Sequence, residues 1–304
     1  MKRFDTFAIK SAHQGLTVEE YLKDILKYSG RKIQKLTRMK GILLNKRIPY
    51  LQKKVKGGDV LSVLIPEDKS YGVTPQAGPL NVLYHDNNII VLDKPPLTLV
   101  HPTGYTARGT LANYLAGYLE QQGEICKIRP LHRLDRDTSG CVIFAKDAQT
   151  QSLLEEQLRS GQLKRIYYAV IEGAIDPPSG TIDVPVGPHP SKPNRRAVSE
   201  QGETAVTHYR TLQSASDPNN SNNLSLLELS LETGRTHQIR VHLAHYGHPI
   251  LGDKMYGKAS SLIARQALHS SVVRFIHPAN NKEIEVQAPL PFDIEQIVLR
   301  MDDL

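Results

Sequence analysis

The chain has 304 residues, of which 39% are hydrophobic and 23% are charged, and its formal net charge is +7. This composition is typical of a globular protein and excludes collagen-like, coiled-coil and disulfide-rich classes. No apolar run reaches the roughly 18–20 residues that a membrane-spanning helix needs, and the first residues carry no apolar signal core. We therefore expect a cytoplasmic protein without membrane association.

The positive charge is concentrated near the N-terminus. Residues 1–70 contain 16 Lys and Arg against 7 Asp and Glu, whereas the rest of the chain contains 22 against 24. A basic segment on a near-neutral body indicates a surface for a polyanion such as RNA. A solvated basic face that only aids solubility is the alternative.

The basic segment begins with a predicted helix. Thr17 and Glu20 have the spacing of a capping box, which satisfies free N–H groups at a helix start. Gly30 has the position of a residue that stops this helix. Short apolar strands are expected at Ile42–Leu44 and Val60–Ile65, so the segment forms a small α+β module.

A second short helix is predicted over residues 31–39. It places Arg31, Lys35 and Arg38 on one face, at spacings of four and three residues. A stripe of cations of this kind can follow a phosphate backbone.

Three segments follow from the composition: a small basic module at 1–66, a linker at 67–80 and a larger domain at 81–304. The linker is rich in Pro, Gly and polar residues and lacks periodicity. Within the larger domain, the Asn-rich stretch at 214–223 is expected to be a surface loop.

The larger domain mixes strand and helix patterns, which indicates an α+β fold. The alternation of Leu with polar residues at 227–231 is typical of a sheet with one solvated face. Other strands are predicted at 89–92, 142–145 and 166–171, and helices at 147–160 and 236–246.

The densest chemical signal is the segment HRLDRDTSG at 132–140. A carboxylate in this cationic frame could act as a nucleophile. A surface ion-pair network is the structural alternative. Chemistry alone does not choose between Asp135 and Asp137.

A second segment, TGRTHQIR at 233–240, places Arg235 just ahead of a predicted helix. A guanidinium beside a helix N-terminus makes an anion site that can hold a carboxylate ionised. Phosphate binding without catalysis is the alternative. The histidines that follow lack the spacing of zinc ligands, so no metal is expected.

Four segments together resemble the motifs of RluA-type RNA pseudouridine synthases, in the family's order. HRLDRDTSG is the most specific of the four. The matching segments are VLYHDNNIIVLDKP at 82–95 with VHP at 100–102, HRLDRDTSG at 132–140, KRIYYAVIEG at 164–173, and GRTHQIRVHLA at 234–244 followed by GHPILGD at 247–253.

The resemblance implies a catalytic domain on a large mixed, mainly antiparallel sheet with flanking helices. It implies that Asp135 is the catalytic carboxylate and that Arg235 pairs with it. It further implies that Tyr167 stacks on the uracil and can assist proton removal. It also implies that Arg133 fills the gap left by a flipped nucleotide and that Ile239 lines the pocket.

The basic module is similar to the RNA-binding domain of ribosomal small-subunit protein four, which implies that the module binds RNA. The spacing of Arg31, Lys35 and Arg38 makes these residues the expected RNA contacts. The implied reaction converts uridine to pseudouridine in structured RNA without a cofactor. We expect a monomeric enzyme and favour ribosomal RNA over transfer RNA as its partner.

Two rival functions remain at this stage. A non-catalytic RNA-binding or ribosome-assembly factor could use the same scaffold. A nucleic-acid hydrolase could use Asp135 and Asp137 with Mg²⁺, although the flanking arginines make metal binding unfavourable. The presence of Asp135, Tyr167 and Arg235 together argues against the first rival. Sensitivity of the activity to EDTA would separate the second.

Overall fold

A computed structural model describes residues 3–65, 68–215 and 223–302. The chain divides into two compact units, Met1–Asp68 and Lys69–Leu304. Most of the loop expected at 214–223 lies outside the described residues. Among the helices that the structure describes, none combines the length and the apolar character needed to cross a membrane.

The N-terminal unit is a three-stranded antiparallel sheet with helices packed on it. Strand β1 was not expected; it pairs with β3, which also pairs with β2. The elements are β1 (Arg3–Ala8), α1 (Val18–Glu20), a π-helical turn (Tyr21–Ile25), α2 (Gly30–Arg38), β2 (Ile42–Leu44) and β3 (Val60–Ile65).

The capping box at the start of α1 is confirmed. The Glu20 N–H donates to Oγ1 of Thr17 at 3.1 Å, and the Thr17 N–H donates to the Glu20 carboxylate at 2.7 Å. The expected stop at Gly30 is wrong. The chain turns earlier, at Lys27 with φ of 56°, and Gly30 instead begins α2 because the Ser29 hydroxyl caps that helix.

Helix α2 is amphipathic and matches the predicted span to within one residue. Ile33 and Leu36 are buried in the core of the unit. Arg31, Lys35 and Arg38 are exposed. The packing of the apolar stripe therefore fixes a cationic stripe at the surface.

The second unit contains the remaining elements. Its strands are β4 (Asn81–His85), β5 (Ile89–Lys94), β6 (Arg129–Pro130), β7 (Ser139–Ala145), β8 (Lys164–Glu172), β9 (Ser179–Asp183), β10 (Val186–Pro188), β11 (Arg196–Val198), β12 (Val206–Ala215), β13 (Leu224–Leu231), β14 (Leu268–Ile276) and β15 (Glu283–Gln287). Its helices are α3 (Leu111–Gln121), α4 (Ala148–Arg159), α5 (Gln238–His245) and α6 (Phe292–Asp302).

Ten of these strands form one sheet. The order is β4-β5-β7-β14-β8-β13-β12-β9, with β6 paired to β7 and β15 to β14. Of the strand pairs that the structure describes, only β7 with β14 is parallel. Strands β10 and β11 make a separate antiparallel hairpin. The α+β fold with a mixed, mainly antiparallel sheet is confirmed.

The stretch expected to be a linker contributes to the second unit. Tyr71 is buried in its main core, and the Tyr71 carbonyl accepts a hydrogen bond from the Ile128 N–H at 2.9 Å. The aromatic ring supplies enough apolar surface to hold this stretch against the domain.

The first residue of a helix is predicted well from sequence for α4 and less well for α5. Helix α4 begins where predicted, because the Asp147 carboxylate caps it. Helix α5 begins at Gln238, two residues later than predicted, because His237 has φ of 60° and cannot continue a helix. Tyr246, the residue that follows α5, is 43% exposed.

The sheet brings three segments together. The loop at 131–138 leads into β7, and β14 joins β7 to β8, whose Tyr167 lies opposite Ser270. Helix α5 follows β13 and packs beneath the same loop through Ile239, which shares a core cluster with Leu134 and Tyr167. The residues of three sequence motifs therefore converge at one place.

Candidate active site

Asp135 lies on the loop that precedes β7, and its side chain is partly accessible. Oδ2 of Asp135 accepts a hydrogen bond from Nη1 of Arg240 at 2.8 Å. The Asp135 side chain is 23% exposed, whereas that of Arg240 is 8% exposed. The carboxylate therefore faces solvent from a buried cationic support.

Arg240 is itself held by a second carboxylate. Its Nε and Nη2 donate to Oδ2 and Oδ1 of Asp253 at 2.7 and 2.9 Å. Burial acts against the charged guanidinium, but the hydrogen bonds to Asp253 and the charges of Asp253 and Asp135 raise the pKa of Arg240 above its ordinary value. A permanent, oriented cation thus stands behind Asp135.

The prediction that Arg235 pairs with Asp135 is wrong. Nε of Arg235 donates to the Thr204 carbonyl at 3.0 Å, and its Nη1 pairs with the Glu203 carboxylate. Arg235 lies before α5 and turns toward residues 203 and 204, whereas Arg240 lies on the helix and is buried. The described structure offers no contact between Arg235 and Asp135.

The structure distinguishes Asp135 from Asp137, which sequence chemistry could not. Asp137 forms an ion pair at 3.4 Å with Arg136, whose side chain is 63% exposed. Asp135 alone of the two contacts the buried Arg240. An exposed pair contributes little free energy and little orientation.

Two buried cations fix the backbone of the Asp135 loop. Nζ of Lys94 donates to the carbonyls of Arg136, Thr98 and Pro95 at 2.9, 2.8 and 3.0 Å. Nη1 of Arg265 donates to the Asp137 carbonyl at 3.0 Å. The loop therefore presents Asp135 from a backbone whose carbonyls are held from inside the protein.

Burial lowers the pKa of Lys94 to about 7, although the nearby charge of Asp137 opposes this shift. The three carbonyl acceptors match the three donors of an ammonium group. Lys94→Met is expected to reduce the free energy of unfolding by about 3 kcal/mol or more, because it leaves buried carbonyls without donors.

Urea unfolding measures this effect. The matched control is Lys282→Met, since Lys282 is exposed and its loss should change the stability by less than about 0.5 kcal/mol. Equal stabilities of the two variants would show that Lys94 does not hold the loop.

Tyr167 and Ile239 share a core cluster with Leu134, which belongs to the Asp135 loop. Tyr167 is buried on β8 in the cluster that contains Leu134 and Ile239. Burial raises the pKa of the Tyr167 phenol, and the negative charge of Asp135 adds to this rise. The phenol is therefore neutral at physiological pH.

Arg133 is exposed on the same loop, two residues before Asp135. Arg31, Lys35 and Arg38 belong to the N-terminal unit, on the surface of α2. The five basic positions proposed from sequence thus divide between the two units, with Arg133 and Arg235 in the second.

Besides Arg240, sequence reasoning missed the side chains of His237 and Tyr256 at the site. Nδ1 of His237 lies 2.8 Å from the Tyr256 hydroxyl, and Nε2 lies 3.9 Å from Oδ1 of Asp135. The sequence did contain a signal for His237, because this residue lies between Arg235 and Arg240 in one motif. His242, also in that motif, uses both ring nitrogens in hydrogen bonds to Thr207 and Val184.

A basic cavity lies next to these residues. Its volume is about 280 Å³, and its lining includes His189, Arg195, Arg196, His245 and Tyr256. The cavity is bounded by the β10–β11 hairpin and α5, so positive charge continues from the site across the neighbouring surface.

Two segments of the chain match models of known protein families. Residues 88–245 match the family model described as RNA pseudouridylate synthase. Residues 6–61 match the model of the N-terminal domain of RluD ribosomal pseudouridine synthase.

Two curated relatives span most of the chain. An uncharacterized RNA pseudouridine synthase of Bacillus subtilis, YhcT, is 41% identical over 95% of this chain and 94% of its own length. Ribosomal large subunit pseudouridine synthase D of Haemophilus ducreyi is 36% identical over 86% of this chain and 82% of its own length.

Solved structures agree with the fold. Human RNA Pseudouridylate Synthase Domain Containing 4 aligns with a TM-score of 0.57 at 24% identity, over 73% of this chain and 93% of its own. Human RNA Pseudouridylate Synthase Domain Containing 1 aligns with a TM-score of 0.56 at 22% identity, over 75% of this chain and 98% of its own. At this identity the likeness supports the fold alone.

Proposed function

The chain belongs to the RNA pseudouridylate synthase family and is an RNA pseudouridine synthase, and from this we propose that its substrate is large-subunit ribosomal RNA and that Asp135 carries the reaction. The observation that supports the residue assignment is the contact between Asp135 and the buried Arg240. Relatives named for the large ribosomal subunit support the substrate.

The reaction rearranges one nucleoside. The N1–C1′ bond breaks, the C5–C1′ bond forms, and the hydrogen on C5 leaves as a proton while N1 gains one. We propose that the Asp135 carboxylate acts on the uridine, either through a transient covalent bond or by stabilising positive charge at C1′. Arg240, rather than Arg235, keeps this carboxylate anionic and oriented.

Tyr167 contributes a neutral ring to the proposed site. Tyr167 is buried in the same core cluster as Ile239 and Leu134, and an aromatic ring in apolar surroundings can stack on a uracil. Because its pKa is raised, the phenol is a poor base at neutral pH. Proton removal from C5 by the Tyr167 phenolate is therefore disfavoured, and we propose a stacking role.

Access to C1′ and C5 requires the uridine to leave its stack. Arg133 is exposed on the loop that carries Asp135. Its guanidinium can occupy the space that the nucleotide leaves and pair with a phosphate. We propose this role for Arg133 and the pocket-lining role for Ile239.

The substrate proposal is tested by release of tritium from RNA labelled at C5 of uridine, because formation of the C5–C1′ bond displaces that hydrogen. The substrates are large-subunit, small-subunit and transfer RNA from cells that lack this protein. Release from large-subunit RNA alone supports the proposal. Release from transfer RNA alone contradicts it while leaving the enzyme assignment intact.

We also propose that the enzyme is a monomer, since Asp135, Tyr167 and Arg240 all come from one unit of one chain. Sedimentation at micromolar concentration should give the 33.9 kDa mass. A dimer at this concentration would contradict the proposal.

The N-terminal unit is proposed as an electrostatic handle for RNA. Replacing Arg31, Lys35 and Arg38 by Ala should reduce the slope of log affinity against log salt by about 2–3, because up to three phosphate contacts are lost. The rate constant at saturating RNA should be unchanged.

A matched control replaces Lys164, Lys282 and Arg300, three exposed cations of the second unit, by Ala. This variant removes the same charge, so the account predicts a smaller change in slope than for the α2 variant. Equal slopes for the two variants would refute the assignment of the handle to α2.

A further inference from the structure

The side chains behind Asp135 form a chain of contacts that reaches the β10–β11 hairpin. The Arg196 backbone N–H donates to the Tyr256 hydroxyl at 2.8 Å. The same hydroxyl lies 2.8 Å from Nδ1 of His237. Nε2 of His237 faces Oδ1 of Asp135 at 3.9 Å. Oδ1 is the carboxylate oxygen that Arg240 does not contact.

The direction of these contacts fixes a proton. The Tyr256 hydroxyl accepts from the Arg196 N–H, but its oxygen has a second lone pair, so by itself it could donate to Nδ1 of His237 or accept from it. The carboxylate on the other side of the ring decides between the two, because a lone pair on Nε2 would face the negative Oδ1 of Asp135, and the hydroxyl therefore donates to Nδ1. Nδ1 is then an acceptor, so the ring proton of the neutral imidazole is on Nε2, where it points toward the Asp135 carboxylate.

We propose that Tyr256 and His237 are positioning residues that hold one tautomer, in which the Nε2–H of His237 faces Oδ1 of Asp135 and restrains the free oxygen of the carboxylate. This proposal rests on the proposed role of Asp135. Arg240 restrains Oδ2 and His237 restrains Oδ1, so the carboxylate plane is set from both sides.

The backbone around His237 is consistent with a functional constraint. His237 has φ of 60°, a conformation that costs free energy for a residue with a side chain and that concentrates at functional sites. The segment after Asp253 is fixed as well, since Oδ1 of Asp253 accepts from the Met255 and Tyr256 N–H groups at 3.0 and 3.2 Å. Both sides of the contact are therefore held by the fold.

The charges around His237 favour the neutral ring. Burial lowers its pKa, and the nearby cations Arg240 and Arg196 add to this effect, while the carboxylates of Asp135 and Asp253 oppose it. A neutral imidazole has two tautomers, and the Tyr256 hydroxyl can select one of them through its contact with Nδ1. A protonated ring would carry hydrogens on both nitrogens and need no selection.

The first test reads the tautomer directly. Long-range ¹H–¹⁵N correlation spectra of the full chain labelled in histidine distinguish Nε2–H, Nδ1–H and charged rings. The His237 signals are identified by their loss in His237→Asn, a residue that tolerates positive φ. The proposal expects neutral Nε2–H at pH 7.5 in the wild type. An Nδ1–H or charged ring would overturn it, whatever the activity.

The second test follows the rate in Tyr256→Phe. Without the hydroxyl, the ring can place its proton on Nδ1 and turn a lone pair toward Asp135. The single-turnover rate at pH 8 should fall about 10-fold, with RNA affinity unchanged within about threefold. Because burial lowers the pKa of His237, pH 6 protonates only part of the rings. The deficit should therefore shrink progressively as the pH is lowered and an N–H returns to Nε2.

A double-variant cycle separates this effect from a structural one. In His237→Asn the imidazole is absent, so adding Tyr256→Phe should cost no further rate and the deficit should not shrink at pH 6. Additive losses, or a deficit in Tyr256→Phe that is independent of pH, would show that Tyr256 acts only through the hairpin and would overturn the proposal. Loss of activity in Asp135→Asn is scored separately, because it tests the proposed function.

Discussion

Asp135→Asn should abolish pseudouridine formation, with a rate at least about 10⁴-fold below that of the wild type. The substitution keeps the shape of the side chain and removes the negative charge that we propose acts on the uridine. Because the side chain is partly exposed and Arg240 keeps its contacts with Asp253, the loss of stability should be about 2 kcal/mol or less.

The control is Asp137→Asn, which changes the same chemical group two residues away. Asp137 pairs with the exposed Arg136, so turnover should stay within about fivefold of the wild type. RNA affinity of both variants, measured by filter binding, should match that of the wild type. Normal turnover in Asp135→Asn, or loss confined to Asp137→Asn, would refute the assignment of the carboxylate.

The second large effect is expected at Arg240 rather than at Arg235. Arg240→Met leaves Asp253 as a buried carboxylate without its cation, which should cost about 3–5 kcal/mol of stability. The same change removes the partner of Asp135 and should reduce turnover by about 10²–10³-fold. Arg235→Met breaks a partly exposed pair with Glu203 and should cost about 1 kcal/mol or less.

A double variant separates stability from catalysis. Arg240→Met with Asp253→Asn removes the unpaired buried charge, while the Asn oxygen can still accept from the Met255 and Tyr256 N–H groups. Stability should recover in part, and turnover should stay low because Asp135 still lacks its partner. Recovery of turnover with stability would show that Arg240 is only structural.

The elements of the fold that sequence predicts well are those with a local physical cause. The Thr17 capping box, the Asp147 cap and the apolar stripe of α2 depend on residues within one or two turns. Strand β1 was missed because its pairing with β3 joins residues about sixty positions apart. The stop expected at Gly30 failed because Ser29 offered a competing cap.

The sequence predicted which motifs form the active site, but it did not predict which side chains of these motifs contact each other. The family resemblance placed Asp135 and Tyr167 near each other, and the structure brings them to one loop and one strand. The resemblance assigned the pairing with Asp135 to Arg235, whereas the structure gives this contact to Arg240. Which arginine reaches Asp135 depends on how the segment before α5 folds around the left-handed backbone of His237, and a helical periodicity does not reveal that backbone.

The buried charged residues that support the site could not be identified from sequence for a related reason. Lys94 and Asp253 read as ordinary charged residues in sequence, and only the fold shows that they are fully buried beneath the site. The contacts that tie them to the site, from Lys94 to the Arg136 carbonyl and from Asp253 to Arg240, join residues more than ten positions apart in the chain. Such pairs become visible only when the packing of the sheet and α5 is known.

The central claim is that this chain makes pseudouridine in large-subunit ribosomal RNA through Asp135. The most direct test is a transcriptome-wide map of pseudouridine in cells without the protein, complemented by the wild type or by Asp135→Asn. The account predicts that one or a few large-subunit sites are lost and that only the wild type restores them. Restoration by Asp135→Asn, or an unchanged map, would contradict it.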